Sequence, residues 1–404
     1  MKEPDFFAAI ESDTKKAILF IPHLPESFAV WMGPIHSTEY YKDLYKVDEV
    51  LYTDDIPAYF EKFAPEVVYV TKGQNSGNFA VPAHFDGIEK YNVDEKYLFE
   101  AITECRVIKT PKEMEIYRYV AKIGSQAHLD NMRAIEPEIY ESQIESVFLH
   151  SNYFKGGCRH VSFIPICASG RNSSILHYGH AGAPNDRQMH DGEWLLMDMG
   201  SEYKCYACDI TTTCPVNGKF TDKQRFIYET VLEMNRQCQL MMKPGVNWMD
   251  VHTHSNRVMI QRFLKEGLFQ GDEEEILKSN VAGYFMPHGL GHFMGIDVHD
   301  VGGYTADMQR DTRMGYKSLR TRRDLAEGML ITVEPGVYFV DCCIDMIKKD
   351  PNMNKFVNWD KVMEYYPIGG CRIECDVYIT KDGCEDITCA PRTVEDIEKA
   401  YSGE

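Results

Sequence analysis

Four carboxylates and one imidazole, Asp198, Asp209, His292, Glu334 and Glu374, lie in separate stretches of the chain at spacings that suit one shared metal site. Any fold that gathers them must return distant segments to a common point, which constrains the architecture more than any other feature. Four negative charges exceed what a single divalent ion needs. Two cations about 3.5–4 Å apart, held by bridging carboxylates, would balance them, and such pairs activate water for hydrolysis. The pattern predicts a two-metal hydrolase.

The local settings agree with this reading. Asp198 and Asp209 flank a segment whose midpoint falls between Tyr203 and Lys204. A two-residue turn there would oppose the aspartates directly, with Cβ atoms about 4.5–5.5 Å apart. Bare carboxylates so placed repel, and cations between them reverse that. Taken alone, such a hairpin could simply face water. Cys205 and Cys208 form a Cys-x-x-Cys, but positions i and i+3 of a strand point to opposite faces. No second pair completes a zinc site, so both are expected to be buried reduced thiols.

Pro287-His288-Gly289-Leu290-Gly291-His292 sets two histidines four apart. A helical zinc protease needs Glu where Gly289 stands, and two glycines disfavour a helix interior. They suggest instead a backbone pressed close to a ligand or a tight strand turn. Val298-His299-Asp300 adds a third histidine. Glu334, before a Pro-Gly turn, and Glu374, beside Arg372, each adjoin an apolar strand. Singly, each of these residues is commonly a solvated edge group or half of an ion pair; together they favour a site.

Net charge is −19 over 404 residues, which disfavours nucleic acid and anionic membrane surfaces as partners. No stretch approaches the roughly 18–20 apolar residues of a membrane span. The first residues, Met1-Lys2-Glu3-Pro4-Asp5, lack the order of a secretory signal. Thirteen cysteines, an odd number scattered singly, fit free thiols in a reducing compartment. A soluble cytoplasmic protein is expected.

The length suggests two or three domains. Residues 17–21 and 67–70 read as short buried strands in an α/β region, with aromatic residues at helical spacing over 38–45 and a further strand near 50–52. Cys105 to Pro111 marks a junction. Thr110 can cap a helix with Pro111 at its first position, running over 113–132. Beyond residue 140, helices are predicted over 141–153, 222–242 and 248–266, with strands over 329–333 and 377–380. The Asp272–Glu275 acidic run reads as a solvated loop or a helix start.

His177-Tyr178-Gly179-His180, the Asp198/Asp209 hairpin, His288-Gly289-Leu290-Gly291-His292, Val298-His299-Asp300, Glu334-Pro335-Gly336 and Arg372-Ile373-Glu374 together resemble the metallopeptidase family with the pita-bread fold. That family holds methionine aminopeptidase, aminopeptidase P and the Xaa-Pro dipeptidases. The likeness is greatest to the dipeptidase subgroup around Pro287 to Gly303, Ser318 to Val333 and Pro391 to Glu395, and Trp31 to Ser37 extends it toward the N-terminus.

The resemblance implies an α/β (α+β) protein, with a creatinase-like N-terminal domain over residues 1–107 and a pita-bread catalytic domain over 108–404. It implies that the N-terminal domain lacks its opening strands and helix. It makes the five residues above the ligands of two divalent ions, most often Mn2+, with Co2+ or Zn2+ as substitutes. Carboxylates with one imidazole and no thiolate suit such harder cations. Asp209 and Glu374 would bridge, and Glu334 would also shuttle the proton. His288 and His299 would line the pocket, and one or the other would steady the oxyanion. His299 and Arg320 would meet the substrate carboxylate, and His177 would close over it. The implied reaction is hydrolysis of Xaa-Pro dipeptides by a homodimer. Aminopeptidase action on longer peptides, a catalytically silent binding module and a metal-free creatine-hydrolysing relative are the alternatives. Phe163 departs from the tyrosine common in the subgroup, which would remove a hydrogen bond.

Overall fold

The computed structural model describes residues 4–75, 79–179, 185–305 and 307–402. The chain forms two compact units, Met1–Ile102 and Thr103–Glu404. Among the described residues no helix is long and apolar enough to cross a membrane.

In the first unit, Ala17–Ile21 is the central strand of three, antiparallel to Phe7–Ile10 and parallel to Glu49–Tyr52. Its unbroken apolar run is explained by burial on both faces. Ile18 and Phe20 pack with Ile56, while Leu19 and Ile21 pack with Tyr41 and Val50. Each such side chain contributes about 1.5–3 kcal/mol on burial. The helix Thr38–Tyr45 starts at Ser37, whose hydroxyl accepts from the Tyr40 N–H. The strand anticipated over 67–70 is only Val68–Tyr69, and the helix Tyr97–Val107 runs into the segment read as a junction.

The second unit has its helices close to the anticipated ranges. Pro111–Ala134 begins at Thr110 with a capping box to Glu113, and Asp222–Met241 begins at Thr221 with one to Gln224. Trp248–Glu266 stops at Gly267, in left-handed conformation with φ 84°. Glu141–Gly156 ends likewise at Gly157. The acidic run resolves as a helix start, Glu273–Ser279, with Asp272 accepting from the Glu274 and Glu275 N–H groups. Pro111–Ala134 packs on Glu141–Gly156, and Asp222–Met241 on Trp248–Glu266. Their inner faces meet the sheets through Trp194, Met197, Ile227, Val231 and Phe263, all buried.

Two antiparallel sheets carry the site. In one, Trp194–Asp198 lies between Ile166–Ser169 and Thr211–Pro215; in the other, Cys375–Ile379 lies between Leu330–Val333 and Cys384–Asp386. Gly336–Tyr338 pairs with Gly370–Arg372 beside them. The two halves join along residues 209–213 and 372–376. The Glu374 N–H donates to Thr211 O, the Thr213 hydroxyl donates to Arg372 O, and the Asp209 N–H donates to the Asp376 carboxylate. These contacts bring Asp209 and Glu374 onto facing stretches of backbone.

The hairpin differs from expectation by two residues. Tyr203 pairs with Tyr206, so the turn is Lys204-Cys205, and Asp198 opposes Thr211 rather than Asp209. Lys204 and Cys205 both have positive φ (51° and 69°), the pair of left-handed residues that a tight hairpin turn needs. A slip of two keeps a side chain on its original face, so Asp209 still shares a side with Asp198. Cys208 is buried as anticipated, but Cys205, at the turn, is exposed; all thirteen cysteines are free.

Candidate metal centre

Each ligand sits at a strand end or a break between strands. Asp198 ends Trp194–Asp198, and Asp209 lies between Tyr206–Ala207 and Thr211–Pro215. Glu334 follows Leu330–Val333, and Glu374 separates Gly370–Arg372 from Cys375–Ile379. His292 lies outside any helix, as its flanking glycines imply. A Cβ on Gly291 would collide with the Thr332 carbonyl, and one on Gly200 with the Cys208 carbonyl. The close approach anticipated at Gly291 is therefore to the chain itself, and it presses His292 against the Glu334 strand.

The five groups converge. Atoms of Asp198, Asp209 and Glu374 lie within 4.8 Å of one another, as do atoms of His292, Glu334 and Glu374. His292 Nε2 is 3.3 Å from Asp209 Oδ2 and 3.8 Å from Glu334 Oε1. Its Nδ1 is 3.0 Å from Phe293 O; an N–H there leaves the Nε2 lone pair facing the carboxylates, the tautomer a metal ligand requires. Asp198 Oδ1 and Asp209 Oδ1 are buried without a hydrogen-bond partner among the described residues. Orphaned oxygens of this kind are costly unless something positive meets them.

The electrostatics say the same. Burial, then the neighbouring charges of Glu374, Asp198 and Glu334, push the Asp209 carboxyl well above the usual carboxylate range. Burial, then Glu334 and Asp198, do so for Glu374. Burial raises Glu334 to about 7 against the opposing pull of Arg372 and Arg320. So much acid in one buried place fits two divalent cations, and the absence of thiolate among these donors suits hard ones.

A set of side chains holds the ligands, and apart from Arg372 sequence reasoning passed over them. Thr211 donates from Oγ1 to Glu374 Oε2 (2.7 Å) and accepts from Arg372 Nε (3.1 Å). Arg372 reaches Asp198 Oδ2 at 2.5 Å, rather than the nearby Glu374, and Tyr338 Oη at 2.8 Å. Burial alone would lower the Arg372 pKa, but Tyr338 and the carboxylates hold it well above its ordinary value. The Thr332 hydroxyl accepts from the His292 N–H at 3.0 Å. Buried His128 spans Met199 O and Thr212 Oγ1 behind Asp198. The one available signal was polar density inside strands, the Thr211-Thr212-Thr213 run above all.

The carboxylates share a cavity of about 290 Å3 with His177, His288, His299, Ser318 and Arg320, and a His299 ring nitrogen lies within 4.8 Å of Asp209 and His292 ligand atoms. His299 packs edge-on against His292 at 4.4 Å between ring centres. His288 engages Gly289 O through Nδ1 (2.8 Å) and Tyr338 Oη through Nε2 (3.0 Å). Among the described residues the Arg320 guanidinium makes no hydrogen bond or ion pair, although it is largely buried. Phe163 is half-buried and does not line this cavity, and His180 lies outside the described residues.

Facing antiparallel sheets with a crowded acid cluster at their junction define a metal-dependent hydrolase of the pita-bread type. Residues 115–381 match the model of metallopeptidase family M24, and residues 1–69 match the aminopeptidase P N-terminal domain. The chain belongs to metallopeptidase family M24. It is 47% identical to the Xaa-Pro dipeptidase of Mus musculus, covering 99% of this chain and 82% of that protein. Identity to a probable Xaa-Pro aminopeptidase of Talaromyces marneffei is 38%, over 99% and 85%. Among solved structures, zinc-substituted Escherichia coli aminopeptidase P in complex with product superposes with a TM-score of 0.80 at 30% identity, covering all of this chain and 87% of the other.

Proposed function

We propose that the chain is an Xaa-Pro dipeptidase that releases proline. In this reading Asp198, Asp209, His292, Glu334 and Glu374 hold two divalent ions. Manganese is the natural pair on donor chemistry, with cobalt or zinc as substitutes. The enzyme works in the cytoplasm, a setting that its thirteen free thiols suit, and as a homodimer. It acts on neither nucleic acid nor membrane.

The observation that carries the dipeptide reading is Arg320. A largely buried guanidinium with no hydrogen bond or ion pair among the described residues, in a cavity of about 290 Å3, is a receptor for one carboxylate close to the metal centre. That volume is at the small end of the roughly 300–1,000 Å3 usual for ligand sites, which favours a dipeptide over a longer chain. The dipeptidase names of relatives at 46–47% identity support the same choice.

Bound ions of this class polarise the scissile carbonyl and supply a nucleophile from water at neutral pH. The chain supplies the rest. Glu334, at the edge of the acid cluster and lining the cavity, is placed to pass a proton to the departing proline nitrogen. His299, kept neutral chiefly by burial, faces the reacting carbonyl as a donor. His288, with both nitrogens engaged, shapes the pocket, and His177 closes it.

Turnover of Gly-Pro and Gly-Pro-Gly, with and without added Mn2+ and with Glu334→Ala as control, tests the proposal. Faster dipeptide cleavage that needs metal is expected. Faster tripeptide cleavage would make the chain an aminopeptidase, and no Glu334-dependent cleavage of either would make it a binding module.

A further inference from the structure

A second cavity of the second unit lies apart from the metal site. A space of about 790 Å3 opens between the helices Pro111–Ala134, Asp222–Met241 and Val394–Ser402 and the segment that follows Cys384–Asp386. It shares no lining residue with the catalytic cavity. Its ionisable groups are Arg133, Arg236, Arg392 and Lys399 against Asp386 and Asp396. In a chain of net charge −19, a concave surface with an excess of cations is against the trend of the whole molecule.

The internal pairing sharpens this. Asp386 is taken up by Arg392 and by Gln239 Nε2 at 3.0 Å, and Arg392 also donates to Thr388 O. Arg133 and Arg236 make no hydrogen bond or ion pair among the described residues. Two guanidiniums from different helices thus line one cavity with their donors unspent. The intervening walls are apolar: Leu129, Leu232 and Ala390. Planar forks of N–H donors match the oxygens of a phosphate, and an apolar wall beside them accepts an organic group.

We propose that this cavity is a second ligand site, built for a small phosphate monoester whose phosphate is held by Arg133 and Arg236. The site lies directly behind the metal centre. Asn235, also in its lining, donates from Nδ2 to Val333 O at 2.8 Å and Ile373 O at 3.4 Å, the carbonyls that precede Glu334 and Glu374. Asn235, fully buried, thus ties the floor of this cavity to the backbone that carries Glu334 and Glu374.

The test is titration calorimetry of the metal-loaded enzyme with phenyl phosphate and, separately, inorganic phosphate, on native protein and on Arg133→Gln/Arg236→Gln. Saturable binding of phenyl phosphate is expected at one site per chain. It should weaken by at least about tenfold in the double variant, which loses both charged donors to the phosphate. Inorganic phosphate should bind more weakly than the ester, having nothing to lay on the apolar wall. Both arginines are exposed, so Gly-Pro turnover without phosphate should match native and show that the variant is folded. Each arginine changed alone gives a smaller loss and keeps the test open if the double variant is unstable. Absence of saturable heat overturns the proposal. So does binding of equal strength in native and variant proteins, which would place the anion at the metal centre.

Discussion

The catalytic cavity has two walls built by different means. The acid wall stands on strand ends whose register is locked: Asp198 beside Thr211, Glu374 beside the same threonine, and His292 pressed to Thr332. The other wall, with His177, His288, His299, Ser318 and Arg320, is carried by turns and irregular segments. One wall keeps like charges together against their repulsion, which demands rigid support. The other receives a small molecule and leaves donors unspent. The difference teaches that metal binding and substrate recognition can fail separately.

The strongest way to break that separation is to remove an acid. Glu374→Gln or Asp209→Asn should abolish metal retention and reduce Gly-Pro turnover to background, read by metal analysis and a proline-release assay. The metal-free variants should also melt above the metal-free native protein. Burial and neighbouring carboxylates disfavour the ionised forms of Asp209 and Glu374, and removing one acid relieves the rest. A metal-free variant that melts lower would mean that the acids are paired by contacts within the chain.

Arg320→Ala should sharpen the comparison from the other side. Losing a charged carboxylate clamp should lower kcat/KM for Gly-Pro by roughly 10–100-fold, mostly through KM, with metal content unchanged. Arg320→Lys should recover only part, because an ammonium lacks the two-pronged fit. Loss of metal in either variant would join the two walls.

Much of the acid wall was readable from residues alone, and the substrate wall was not. The cap at Thr110 with Pro111 behind it is local chemistry, so the helix it starts could be placed within a few residues. The five ligands could be picked out because carboxylates at strand ends among glycines are uncommon company. The hairpin register could not, since Tyr203-Lys204-Cys205-Tyr206 contains no Asn-Gly or Asp-Gly to announce its turn. The partner of Arg372 is Asp198, far away in sequence, and no local pattern encodes that pairing. Arg320 and His177 were named only through family resemblance, because residues on irregular segments have no periodicity to betray their direction.

Below both of these effects sits the support beneath the acid wall. Thr211→Val keeps shape and burial but removes the hydroxyl shared by Glu374 and Arg372. Metal affinity should fall about 10-fold, the low end for lost partners of metal ligands, while KM for dipeptide at saturating metal stays near native.

The last effect concerns the substrate wall's foundation, leaves turnover at neutral pH untouched and appears only in acid. His252 is buried in the helix Trp248–Glu266, edge-on to Tyr316 at 4.5 Å, four residues before Arg320. Burial, then the Arg313 charge, lowers its pKa from 6.5 to about 3, against a small opposing pull from Asp311. A histidine depressed on folding is protonated first in the unfolded chain. Its contribution is therefore intact above pH 6.5 and is lost as pH falls from 6.5 toward 3. His252→Phe keeps the ring against Tyr316 and removes the proton site. Denaturant unfolding of metal-free native and variant proteins at pH 7 and pH 5 should show the native protein losing about 2 kcal/mol more between the two conditions. The shifts of the carboxylates and other histidines are common to both proteins and cancel in this double difference. Equal losses would show that His252 is hydrated in solution, and the wall that carries Arg320 looser than its packing implies.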